Sequence, residues 1–193
     1  MITTSHAILN SALLGRKEKP TYYWPVIIGA VLPDVPMFLY FGFYLLNHSH
    51  IRVAPGYMNE YHFRQAWVDW SHSIPLALGL ALISFLARFQ SGIYFSLSMF
   101  LHSLEDLPVH AEYAHRHFLP FSKFRYFSPI SYWDPRHYGN IVAPIEWIIV
   151  LISICVLWRR GLSPFAQVFL LSIGVFQGLF LVYYFGGVRW NSF

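Results

Sequence analysis

The chain is one domain by length, residues 1–193, with 56% hydrophobic and 20% aromatic residues and only 11% Asp, Glu, Lys or Arg. A soluble domain carries about 25% charged residues, so charge cannot cover this surface and a lipid bilayer is the expected partner. A formal charge of +4 without a basic stripe argues against a nucleic-acid-binding domain, and the single Cys155 excludes an intrachain disulfide.

Thr3–Leu14 is a short apolar segment that opens on the helix-capping stretch Thr3-Thr4-Ser5. A basic cluster, Arg16, Lys17 and Lys19, follows it rather than precedes it, which is the wrong order for a cleavable signal. Trp24–Leu46 is long enough to span a bilayer. It is interrupted by Leu32-Pro33-Asp34-Val35-Pro36, and the prolines predict a kink or two half-helices. After a polar, aromatic-rich connection, Asn47–Ser71, the segments Ile74–Phe89 and Gly92–Leu107 read as a helical hairpin turning at Arg88–Ser91. A second long connection, Pro108–Asn140, leads to a second hairpin, Ile141–Trp158 and Ser163–Phe185, turning at Arg159-Arg160. The expected fold is all-α: a polytopic membrane helical bundle of about five spanning helices plus a short N-terminal helix. A His-rich loop lies between the hairpins.

If the segments alternate, the basic turns at Arg16–Lys19, Arg88 and Arg159–Arg160 share one side, which the positive-inside rule makes cytoplasmic. Depth then follows from the helical rise of about 1.5 Å per residue. His6 lies roughly 13 Å from its basic turn, Asp34 roughly 15–18 Å, and His102 and Asp106 roughly 15–21 Å from theirs. These groups reach one level in the outer half of the membrane, and His72 sits near the outer end of its helix. His6 is the partner expected for Asp34 at that depth.

An intramembrane ionisable residue is costly and persists when it pairs or holds an ion. His102 and Asp106, spaced i and i+4, project from one helix face and can share an ion. The bland alternative is a capped helix end with a charge at the interface. Pro108 ends that helix, which places His110 at the mouth of the loop. His72, in Trp70-Ser71-His72-Ser73, is either a ligand or a helix-start capping residue. Asp34 is either a ligand or the cap of the half-helix made by Pro33. Glu146 reads equally as ligand or interface residue, and His48 and His50 as solvated. The loop Val109–Phe118 adds His110, Glu112, His115, Arg116 and His117, a metal-binding composition or a wet loop. Arg116 or Arg136 is suited to hold a phosphate or carboxylate oxygen. Tyr22–Trp24, Trp67–Trp70 and Tyr132–Trp133 fit an interfacial aromatic belt.

Ser5-His6, Gly29-Ala30-Val31-Leu32-Pro33-Asp34, Ser71-His72-Ser73 and His102-Ser103-Leu104-Glu105-Asp106 occur in that order, over about half of the chain. This arrangement resembles the bacterial YdjM-like membrane-bound metal-dependent hydrolases. That family is distantly like the zinc-dependent phospholipase C and single-strand nuclease superfamily. The resemblance implies an inner-membrane protein with one to three divalent ions, zinc by ligand type. It implies that His72, His102 and Asp106 hold one ion and that His6 and Asp34 belong to another. His110 and His115, with Glu112 or Glu146, form a further ligand group. The chain departs from the soluble relatives in lacking a Trp at its start and a His-xxx-Glu after His110. The expected activity is hydrolysis of a phosphoester, lipid-like by depth, at a site facing the non-cytoplasmic side. Asp34 or Glu112 would orient or deprotonate the water and Arg116 would hold the phosphate. The rival reading is non-enzymatic, with the same residues serving metal or proton transport or a structural metal site.

Overall fold

Pro33 divides the first long apolar stretch into two helices joined by one tight turn. The computed structural model describes residues 1–47, 66–111 and 114–187, and every regular element among them is helical. In chain order these are α1 (Thr3–Leu14), α2 (Tyr23–Val31), α3 (Val35–Asn47), α4 (Ile74–Leu86), α5 (Gln90–Asp106), α6 (Gly139–Arg159) and α7 (Pro164–Gly187). Leu32–Asp34 forms a 3₁₀ turn between α2 and α3, as the loss of a helical donor at Pro33 requires. A short helical stretch, 66–71, precedes α4, and Ser73 caps α4 by accepting from Leu76 N.

Among the described residues, three apolar helical stretches are long enough to cross a membrane: Pro20–Tyr40, Gly139–Arg159 and Pro164–Phe185. The sequence reading expected about five. The shorter hairpin explains the difference: α4 has 13 residues and α5 has 17, the latter ending in Glu105 and Asp106. At about 1.5 Å per residue α4 reaches roughly 20 Å against a hydrocarbon core of about 30 Å.

The short helix α1 is central rather than peripheral. It packs against α2 and α5 on one side and α6 on the other. Ile8 and Ala12 meet Val150, Ile154 and Leu157 of α6 in a dry cluster. On its other side Asn10 Nδ2 donates to Ser98 O and Ser98 Oγ, each at 3.0 Å, and Ser98 Oγ donates to Val26 O at 2.7 Å. Those bonds stitch α1, α5 and α2 together in a layer without charge. Gly29 permits the approach: a Cβ there would fall 2.2 Å from Phe95 O. Small residues at a helix contact are how apolar bundles bring backbones close.

The three basic turns lie at one end of the bundle. Arg160 donates to the last carbonyls of α1, at Ala12 (2.7 Å) and Gly15 (2.6 Å), which places the third turn on the first. Tyr22 stacks on Tyr94 with ring centroids 4.5 Å apart, bringing the start of α5, and so the Arg88 turn, to the same end. Large apolar side chains on α4, α6 and α7, such as Leu86, Ile152 and Phe176, point outward. A soluble monomer does not expose an apolar surface of this extent.

Candidate metal centre

At the other end of α1, α2 and α5, four side chains converge: Asp34, His72, His102 and Asp106, all buried. α5 delivers His102 and Asp106 on one face. The 3₁₀ turn after Pro33 delivers Asp34, and the segment between 66–71 and α4 delivers His72. Both histidines are oriented by backbone carbonyls. His72 Nδ1 donates to Val68 O and His102 Nδ1 donates to Ala30 O, each at 2.7 Å. Fixing the proton on Nδ1 turns each Nε2 lone pair inward, the way a metal-ligating histidine is held.

The two Nε2 atoms are 3.1 Å apart. With both Nδ1 positions donating, two Nε2 atoms face each other in a buried site, an arrangement that a metal ion or a proton between them satisfies. His72 Nε2 is 3.5 Å from Asp34 Oδ1 and 3.5 Å from Asp106 Oδ2. His102 Nε2 is 3.6 Å and 3.2 Å from the same two oxygens. A tetrahedral ion with ligand bonds of about 2.0–2.1 Å has ligand-to-ligand edges of about 3.3–3.4 Å. Five of the edges among these atoms, 3.1 to 3.6 Å, bracket that value. The residues present therefore fit a metal ion.

A second group, Asp106, His110 and His115, shares Asp106 with the first. The carboxylate divides its oxygens. Oδ2 faces His72 and His102, while Oδ1 lies 3.7 Å from His110 Nδ1 and 3.0 Å from His6 Nε2. The α-amino group of Met1 also lies on Oδ1, at 2.5 Å. Burial pushes the His110 imidazole down to about 4 and His115 well below its ordinary value, so both offer a neutral ring at pH 7. His115 Nδ1 is buried without a hydrogen-bond partner. The first group offers four donors and the second three.

His6 and Asp34 are not paired in the way their depth predicts. His6 Nδ1 meets Glu105 Oε2 at 2.6 Å, Nε2 meets Asp106, and the ring stacks on His102 at 3.8 Å. Asp34 instead faces His72 and His102 with Oδ1 and takes the Thr3 hydroxyl proton on Oδ2. The two groups reach the same level but lie at different angles around it. Glu105, which the sequence reading left without a role, is the orienting partner of His6. Glu146 accepts from Ile2 N at 2.9 Å through Oε1.

The phosphate-holding arginines are placed differently from the expectation. Arg116 lies against Asp69, Nε to Oδ2 at 3.6 Å, with its backbone N donating to Asp69 Oδ1 at 3.1 Å. Arg125 forks onto Asp69 at 3.1 and 2.6 Å, and Arg136 onto Asp134, with Nη2 to Oδ2 at 2.8 Å. Glu112, His48 and His50 lie outside the described residues. Asp69, buried between the exposed Trp67 and Trp70, went unnoticed because its neighbours read as an aromatic belt. It ties the stretch before His72 to the loop that carries His115. That loop also folds back over the cluster. Ile74 N donates to His117 O at 2.9 Å, Ser128 N to His110 O at 3.1 Å and Tyr132 N to Val109 O at 3.2 Å.

The chain matches no family model, no curated protein and no solved structure.

Proposed function

We propose that this chain is a membrane-embedded, metal-dependent hydrolase with a dinuclear centre bridged by Asp106, acting on a phosphoester. The observation that carries the reading is the pair of donor groups meeting at that one carboxylate, the first closed by four donors and the second with three. Bound divalent ions lower the pKa of water toward about 7 and polarise a phosphoryl oxygen. The chain's own residues hold and orient. His72 and His102 are locked by their Nδ1 bonds, and His6, stacked on His102, holds Asp106 through Oδ1. Asp34 has both oxygens engaged, which suits a ligand better than the general base first assigned to it. Glu105 Oε1 is buried without a hydrogen-bond partner, and we assign the proton-accepting role to it.

Five spanning segments fit this reading: Pro20–Tyr40, α4 and α5 as a packed pair, α6 and α7. The basic end then faces the cytoplasm of a bacterial inner membrane and the metal centre faces outward. This is the chemistry that the resemblance to the YdjM-like hydrolases implies, and its depth favours a lipid-like substrate. The closed first group also favours a second reading, a purely structural metal site. The two are separated by turnover. Metal-replete protein in detergent is assayed on phospholipids, isoprenoid phosphates and aryl phosphates, before and after chelation and after return of Zn²⁺ or Mn²⁺. Turnover lost on chelation and restored by metal supports the hydrolase. Metal-replete protein that turns over none of these substrates leaves the structural site.

A further inference from the structure

A cavity of about 630 Å³ lies between α1, α6 and α7 under the loop at Tyr132 and Trp133. Its size falls in the range of about 300–1,000 Å³ typical of small-molecule sites. Ile2, Ala143, Ile173, Phe176 and Phe180 make its walls apolar. Among its polar lining residues, Gln177 donates to Thr4 Oγ1 at 2.6 Å and Ser172 Oγ to Val168 O at 2.9 Å. Such a lining rejects a charged or hydrogen-bonding ligand, because burying a polar group without a partner is unfavourable.

One end of the cavity lies beside the metal centre, and the other reaches the outside of the bundle. Tyr132 on its wall lies 5.3 Å, ring to ring, from His110, a donor of the three-donor group. Ile2, also on its wall, is held from behind by Glu146, whose Oε1 accepts from Ile2 N at 2.9 Å. Away from the centre, Phe176 and Phe180 are 70% and 45% exposed, so the walls reach the outer apolar surface between α6 and α7.

We infer that this cavity binds the hydrocarbon chain of an amphiphilic phosphoester whose phosphate lies at the Asp106–His110–His115 group. The inference rests on the reading of that group as the reacting one. The chain enters from the bilayer side between the helices. Because the chain leaves one apolar medium for another, the cavity contributes selection and placement rather than a hydrophobic driving force. A phosphoester without a chain would meet the same metal centre but would not be held in register.

The test uses the full chain, metal-loaded, in phosphatidylglycerol vesicles doped with a phospholipid that carries a diazirine in its acyl chain. After irradiation, labelled peptides are mapped. Wild-type protein should be labelled over 172–181 above the level on the outward face of α4. Ser172→Trp, which adds bulk at the rim of the cavity, should lower that label about tenfold and leave the α4 label unchanged, one methylene of misfit in a pocket being already worth that much. Ala143→Leu narrows the cavity from the opposite wall and stands in if the first variant does not fold. Equal labelling of wild type and variant over 172–181, or labelling no stronger than on α4, would overturn the inference. In the activity arm, Ser172→Trp should lose turnover of the chain-bearing ester about tenfold while an aryl phosphate is cleaved as by wild type. Parallel loss of both would also overturn it. Wild-type protein that cleaves neither ester sinks the hydrolase reading alone, and the labelling still decides the cavity.

Discussion

Asp69→Asn probes the part of the site that the aromatic belt conceals. Asp69 is 1% exposed and takes both arms of Arg125 and the Arg116 amide. Asparagine keeps one acceptor for Arg116 N and Arg125 Nη1, but sets an NH₂ against Arg125 Nη2, where a 2.6 Å charge-assisted bond now stands. Breaking a buried ion pair from one side costs about 3–5 kcal/mol, because the surviving charge is left without its partner. Arg125 is only 17% exposed, so most of that range applies. The cost falls on the contact between the stretch leading to His72 and the loop bearing His115. Chemical denaturation in mild detergent measures it, together with the metal content of the folded fraction. The double variant Asp69→Asn/Arg125→Met should recover more than half of the loss, since it removes the stranded charge. A loss below about 1 kcal/mol for Asp69→Asn, the value of an exposed pair, would refute the reasoning.

Further outcomes follow from other contacts. Gly29→Ala places a methyl group 2.2 Å from Phe95 O, so the α2–α5 contact must open, with an expected loss of about 1–3 kcal/mol in detergent denaturation. Unchanged stability would mean that α2 and α5 are not in close contact there. Arg160→Met removes the donors to Ser11, Ala12 and Gly15 O and should cost about 2 kcal/mol, seen as earlier unfolding. Cysteines placed singly at Arg16–Lys19, Arg88–Ser91 and Arg159–Arg160 on a Cys155→Ser background should resist membrane-impermeant reagents added outside intact cells. Labelling from outside would reverse the orientation.

Much of the centre was legible because the membrane makes its residues conspicuous. Asp34 beside Pro33, and His102 with Asp106 one turn apart, stand in stretches where an unpaired ionisable group is unfavourable. Helical rise gave their common depth. It did not give their azimuth: a helix turns about 100° per residue, and a small rotation of α1 decides whether His6 meets Asp34 or Glu105. The sequence carries no local signal for that rotation, because the stitches that set it, from Asn10 to Ser98 and from Ser98 to Val26, join residues 72 to 88 positions apart. Asp69 was missed for a different reason. Tryptophans on either side of an acidic residue look like an interface, and only the fold of the following loop brings Arg125 onto it. The length of α4 was misjudged because apolar residues continue past the helix into the Arg88 turn. There Ala87, Arg88 and Phe89 are no longer helical, and Arg88 adopts a positive φ of 56°.

The central claim is that two ions meet at Asp106, and metal stoichiometry tests it most directly. Purified protein, loaded with Zn²⁺ and freed of excess, is analysed by elemental mass spectrometry against protein concentration. The account predicts about two ions per chain. His110→Ala should leave about one, Asp34→Ala about one, and Asp106→Ala close to none, since only that carboxylate serves both groups. Wild-type protein that holds no metal, or an Asp106→Ala variant that keeps the wild-type content, would contradict the account.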